Sequence, residues 1–318
     1  MTLASYDIPR LPHSNIAALA AVVPAWLPWN PGLHYLLGTV ILIIGLITAF
    51  KSEAFRSRGL DKLIAFGPVF FAVPLAVFAA DHFVFAQGIA TMIPRLIPAH
   101  LFWAYFVGAC LLCAALSLVT GKLSGLAAAL FGIMIFLFEL LISIPRVVAA
   151  PGDRIIWAVC LRDFAFSAGA LAFAATHTAV WKTHGKHPVV TVARFFIAIP
   201  ILFFAVEHFL HPHSAPGVPL ALQLPAWIPL HLLIDYLTAA IFLITGLCLL
   251  INKKARLAAT VLGLTVLLQV LLIYAPILAS DYRDIANGLN YFGDTLLLSA
   301  AALLLAASQP QDPVTQSV

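Results

Sequence analysis

The sequence predicts an all-α integral membrane protein with nine transmembrane helices, built as one N-terminal helix followed by two parallel four-helix repeats. Three observations predict it. Of 318 residues, 63% are hydrophobic and only 9% charged, far below the roughly 25% charged residues of soluble domains. Apolar runs recur along the chain, each of about 18–24 residues and able to cross a hydrocarbon core of about 30 Å as a helix. Finally, a long segment of the sequence occurs twice.

The expected spans lie at about 33–50, 64–84, 98–119, 123–145, 156–179, 193–211, 228–251, 256–278 and 288–307. Ahead of the first, IAALAAVV has only Arg10 before it and is broken up by prolines, so an interfacial N-terminal segment is expected rather than a cleaved signal peptide. The first, third and seventh spans share one kind of entrance. VPAWLPWNPGLHY (23–35), IPRLIPAHLFWAY (93–105) and LPAWIPLHLLIDY (224–236) each place two prolines four apart and a tyrosine seven residues after the second. Proline fits a first helical turn and aromatic rings sit at lipid headgroups, so this pattern suits a helix start at the membrane surface.

Orientation follows from the basic residues. An external N-terminus puts Lys51, Arg56, Arg58, Lys62, Lys122, Lys182, Lys186, Arg194, Lys253, Lys254 and Arg256 on the cytoplasmic side. Arg10, Arg95, Arg146, Arg154, Arg162 and Arg283 remain near the outer surface. This gives a multi-pass protein with the N-terminus outside and the C-terminus cytoplasmic, and the expected location is a bacterial or archaeal plasma membrane. The net charge of +4 is spread over short loops without a dense basic block, which gives no footprint for nucleic acid. Cys110, Cys113, Cys160 and Cys248 fall inside spans, so no disulfide framework is indicated.

Residues 93–172 align with 224–303 at a constant offset of 131: Pro94 with Pro225, His100 with His231, Tyr105 with Tyr236, Gly132 with Gly263, Pro145 with Pro276 and Asp163 with Asp294. Upstream, FFAVPLAVFAADHF (70–83) matches FFIAIPILFFAVEHF (195–209) at an offset of 126, pairing Asp81 with Glu207 and His82 with His208. A unit of four spans is even, so both copies enter the membrane from the same side. The expected divisions are 1–62 for the N-terminal segment and first span, 63–180 for the first unit, 181–193 for a basic cytoplasmic linker, 194–308 for the second unit and 309–318 for a polar tail.

Ionisable side chains inside spans are costly and are functional suspects. In each unit an acid–histidine pair ends the first helix, a second histidine opens the next, and an aspartate stands in the first turns of the fourth. These groups, His82, His100 and Asp163 with His208, His231 and Asp294, are the catalytic candidates. Asp81, Glu207, Asp235, Tyr105 and Tyr236 are the expected cofactor-binding groups. A histidine at the lipid–water boundary can equally be interfacial, and a buried aspartate can serve an inter-helix hydrogen bond. Histidine beside carboxylate can bond a quinone carbonyl and pass its proton to water, while paired imidazoles can ligate haem b axially. Quinone is the expected cofactor, with haem b as the minority alternative. HExxH and CxxCH are absent, which leaves a zinc site or a covalent haem without support.

Charges peculiar to the first unit are Arg95, Arg146, Arg154 and Arg162, whose counterparts are Ala226, Ile277, Ile285 and Gly293, and Glu139, which faces Val270. Arginine forks suit oxyanions, so the four form a candidate anion site, against the plainer reading of loop arginines and a buried Glu139 ion pair. The CLLC of Cys110 and Cys113 reads as small packing residues, and HFLHPHSAP (208–216), with His211 and His213, reads as a solvated loop.

At FFAVPLAVFAADHF, IPRLIPAHLFWAYFVGACLLCAALSLVTGK and their second copies, the sequence resembles the DoxX-like membrane proteins. The resemblance covers each four-helix unit and implies a quinone-linked membrane subunit with a membrane or periplasmic redox partner, serving oxidation of a sulfur compound at its outer face. The chain departs from the family pattern as a tandem fusion with an added helix. The alternative is a non-enzymatic membrane scaffold, or a small-molecule transporter on parallel repeats. Transport needs a polar path to both faces, and the inner halves of the spans hold almost no ionisable groups.

Overall fold

The computed structural model describes residues 31–56, 59–177 and 187–310. Outside them lie the N-terminal segment with Arg10, Pro24, Pro28 and Asn30, also Arg58, the linker residues Lys182 and Lys186, and all of the 309–318 tail but its first two residues. Among the described residues the chain is helical and contains nine helices long and apolar enough to cross a membrane. These are α1 (Gly32–Lys51), α2 (Asp61–Val84), α3 (His100–Thr120), α4 (Ser124–Ala149), α5 (Arg154–His177), α6 (Pro188–Leu210), α7 (His231–Leu250), α8 (Ala255–Ser280) and α9 (Ile285–Ser308). All nine fall within a few residues of the apolar runs. In hydrocarbon every backbone N–H and C=O must be satisfied within the segment, and a helix does this locally.

Each span from α2 to α9 packs against its sequence neighbours, and α9 returns to pack on both α2 and α5. The core therefore lies where α2, α5, α6 and α9 meet, and α1 sits outside against α2 and α3. Small residues permit the close crossings. At Gly169 a Cβ would stand 2.6 Å from the Cα of Ala301, so α5 and α9 touch backbone to backbone.

Backbone details recur along the sequence. Ala99 and Leu230 both take left-handed φ, of 57° and 59°, just before α3 and α7, and Leu123 and Lys254 do so, at 54° and 50°, before α4 and α8. In α4 and α8 the helix widens into a π turn, at Glu139–Ser143 and Val270–Tyr274. Each turn is followed by a proline, Pro145 or Pro276. Proline has no N–H and its ring crowds the carbonyl four residues back, and a π turn is one way to relieve that clash.

A third π turn, Ile285–Leu289, opens α9. Helix α5 has no such turn, so α9 carries one extra residue relative to it. The contacts register the slip: Ser167 Oγ donates to Gly132 O and Ser299 Oγ to Gly263 O, both at 2.7 Å. Gly132 and Gly263 are 131 apart, whereas Ser167 and Ser299 are 132 apart. Arg162 and Asp294 each stand five residues before these serines, Ser167 and Ser299.

At the end of the bundle that carries Lys51, Lys122 and Lys253, Arg256 ties α8 to the start of α2 through Asp61 at 2.7 Å. Arg194 donates to the backbone carbonyls of Leu249 and Leu250. Nearly all the remaining buried ionisable groups lie toward the other end.

Candidate functional site

Helices α5 and α9 bring a charged centre into the bundle. Arg162 donates through Nε to Asp163 Oδ1 at 2.7 Å and through Nη1 to Asp294 Oδ2 at 2.5 Å. All three side chains are largely buried. Glu139, at the head of the α4 π turn, lies within electrostatic reach of both Arg162 and Asp163. It is 2% exposed. Its Oε1 accepts from Ser143 Oγ at 3.0 Å, while Oε2 has no partner. π turns concentrate at functional sites because they turn a side chain out of the regular helical register.

A second pair joins α1 to α2. His34, fully buried, lies 3.0 Å from Asp81 Oδ1 through Nε2. One residue on, Tyr35 donates to the carbonyl of Tyr282 at 2.7 Å, which fixes the start of α1 against the α8–α9 turn.

The third polar region belongs to α6, α7, α8 and α9. The segment between α6 and α7 begins exposed, at His211 and His213, but residues 214–220 are entirely buried. A short turn closed by Ala215 N–H to Leu222 O, at 2.8 Å, folds them inward. Their carbonyls are held from three directions: Tyr274 Oη–H on Pro216 O at 3.0 Å, Arg154 on Pro219 O at 3.0 Å, and the His208 ring 3.3 Å from Gly217 N and O. Non-helical backbone among membrane spans is tolerated where protein buries it. The solvated-loop expectation therefore holds only for the first few residues.

The predicted site residues divide. Asp163 and Asp294 do come together, from α5 and α9, through Arg162. Asp81 meets His34, and His208 meets Asp235 at 3.2 Å between Nδ1 and Oδ1. Glu207 is paired with Arg154 at 3.3 Å. His82 bonds its own helix at Phe78 O, 2.8 Å away, and His231 bonds Pro225 O, 3.0 Å away, ahead of its helix. His100 opens α3 half-buried, and Tyr105 and Tyr236 lie exposed on the faces of their spans. Arg95 and Arg146 are exposed, while Arg154 and Arg162 donate to carboxylates. Sequence reasoning did not single out His34, Cys160, Tyr274, Gln269, Thr238 or Thr295. For His34 a signal existed, since it occupies the position of Asp235 in the shared entrance pattern.

An open apolar groove of about 370 Å³ runs between α4, α5 and α6. Leu171, Val189 and Val192 are among its walls, together with Phe136, Phe164 and Phe196. Those three rings meet edge to face, with centroids 5.4–6.2 Å apart. Phe136 lies one turn before Glu139 along α4, and Phe164 follows Asp163 along α5.

Among the described residues, no three His, Cys, Asp or Glu side chains are placed to hold a metal ion. No protein family, curated protein or solved structure matches this chain.

Proposed function

We propose that the chain is a quinone-linked membrane subunit whose quinone headgroup meets the protein at Glu139, beside the Arg162–Asp163–Asp294 centre. The observation that carries this reading is the unpartnered Oε2 of Glu139, 2% exposed and one helical turn from Phe136 of an apolar groove. A buried carboxylate oxygen without a partner is costly, and a hydroquinone hydroxyl, or a proton, offsets that cost. Reduction of a quinone takes two electrons and two protons. Glu139, Asp163 and Asp294 are the groups that exchange the protons, and a membrane or periplasmic redox partner exchanges the electrons. The groove offers the hydrocarbon tail a route from the bilayer.

Haem b is the less favoured cofactor, because His208 faces Gly217 and Asp235, and His231 is bonded to Pro225 O. A sulfur oxyanion at the arginines is less favoured too, since Arg154 and Arg162 are already engaged by carboxylates. The DoxX-like resemblance agrees with a quinone-linked role and rests on the quoted segments alone. We also read the two units as parallel copies about a pseudo-two-fold axis along the membrane normal, with the Arg162–Asp294 and Gly169–Ala301 contacts on that axis. The basic residues favour the cytoplasm for the lysine-bearing end.

The test is purification in mild detergent, extraction of bound quinone and a redox difference spectrum, repeated on Glu139→Gln. Glutamine keeps the acceptor for Ser143 and loses the proton-exchanging oxygen. Quinone should be recovered from the wild type, and quinol turnover with its partner should fall about 100-fold or more in the variant. A haem band, or unchanged turnover, overturns the reading.

A further inference from the structure

The buried region around the folded-in segment 214–220 is a separate site. Asp235 and Thr238 lie three residues apart on one face of α7. Gln269 Nε2 donates to Thr238 Oγ1 at 2.8 Å, which brings α8 onto the same face. The position of a Gly217 Cβ would be 3.4 Å from Gln269 Oε1 and 3.1 Å from the Thr295 methyl, so α9 closes the far wall. Asp235, Thr238, Gln269 and Thr295 are each between 0 and 7% exposed.

Their oxygens are not used up by the protein. Both carboxylate oxygens of Asp235 and Oε1 of Gln269 have no hydrogen-bond partner. Among the described residues, His208 alone forms an ion-pair contact with Asp235, at 3.2 Å, and it stands off the hydrogen-bond line. Gly217 N–H donates to His208 Nε2 at 3.3 Å. The same ring nitrogen lies 3.3 Å from Gly217 O, so both backbone groups of Gly217 hold the ring. Tyr274 cannot serve Asp235, because its hydroxyl proton goes to Pro216 O. The site thus has a buried carboxylate and surplus acceptor oxygens, and among the described residues no lysine or arginine pairs with Asp235. Burying a charge in this way is costly without a counter-charge.

We propose that Asp235, Thr238, Gln269 and Thr295, closed by Gly217, hold a dehydrated monovalent cation, sodium or potassium. Carboxylate, amide and hydroxyl oxygens are ligands for hard cations. One carboxylate among neutral oxygens matches a single positive charge, whereas divalent ions draw on more carboxylates. Irregular backbone beside such a site follows the membrane-protein pattern in which non-helical segments coordinate alkali ions. Gly217, at φ 114°, turns the segment into the site without a side chain that would fill it. This site uses none of the residues of the quinone reading, Glu139, Arg162, Asp163 and Asp294.

The experiment is thermal unfolding of the purified full chain in sodium chloride, potassium chloride or choline chloride at equal ionic strength, with equilibrium binding of radioactive sodium. Sodium or potassium should raise the melting temperature saturably over choline, with one ion bound per chain. Asp235→Asn should abolish the effect, and Thr295→Val should raise the half-saturating concentration about 10-fold or more. Asp281→Asn, in the exposed α8–α9 turn, should leave it unchanged. If Asp235→Asn does not fold, Thr238→Val and Thr295→Val decide. Identical melting curves in all three salts, meaning ordered water only, or an ion effect that survives in every site variant, overturns the proposal.

Discussion

Arg162 on α5 donates to Asp294 on α9 at 2.5 Å, and seven residues further along each helix Gly169 meets Ala301. Seven residues are about two helical turns, so the two helices stay in register from the charged pair to the close contact. One contact is a buried ion pair and the other an absence of side chain, yet together they set the same crossing.

Removing one member of a buried ion pair leaves the others uncompensated. Arg162→Ala should therefore destabilise the bundle by about 3–5 kcal/mol, read by denaturant titration in detergent. Adding Asp294→Ala should recover part of that loss, because it removes one of the stranded charges. Strict additivity of the two substitutions would count against the pairing.

At Gly169 a methyl group meets the backbone of α9, which cannot swing aside as a flexible side chain can. Gly169→Ala should cost about 1–3 kcal/mol. Gly152→Ala, where nothing lies within 4 Å of the added Cβ, is the comparison and should be close to neutral. Equal melting temperatures for the two variants would rule out the close crossing.

His34 and Asp81 should behave as one coupled pair holding α1 to α2. In a double-mutant cycle of His34→Ala and Asp81→Asn, a coupling of about 0.5–3 kcal/mol is expected. A coupling near zero would mean that α1 is held by apolar packing and the Tyr35 hydroxyl alone.

Much of the architecture was legible. The nine spans could be read because a run of about 20 apolar residues is a local property, and in lipid only a helix satisfies its backbone. The shared pattern at the entrances of α1, α3 and α7 also pointed to the position that His34 and Asp235 occupy. It did not say that one would find Asp81 and the other His208. The gapless alignment set Asp163 against Asp294 and has no term for a π turn, so it did not show Arg162 bonded to both. The extra residue at Ile285–Leu289 shows only in which carbonyls the later serines reach.

What the sequence determined by itself was the membrane environment, the number and limits of the spans, and the clustering of ionisable groups toward one end of them. Hydrophobic transfer and backbone satisfaction act residue by residue, and so can be read from a string of letters. Only the tertiary structure decided that Arg162 stands between two aspartates, that one oxygen of Glu139 has no partner, and that residues 214–220 fold into the bundle over Asp235. Those outcomes depend on helix rotation, on a one-residue slip and on contacts between side chains far apart in the chain. They are set by close packing, which no local pattern encodes.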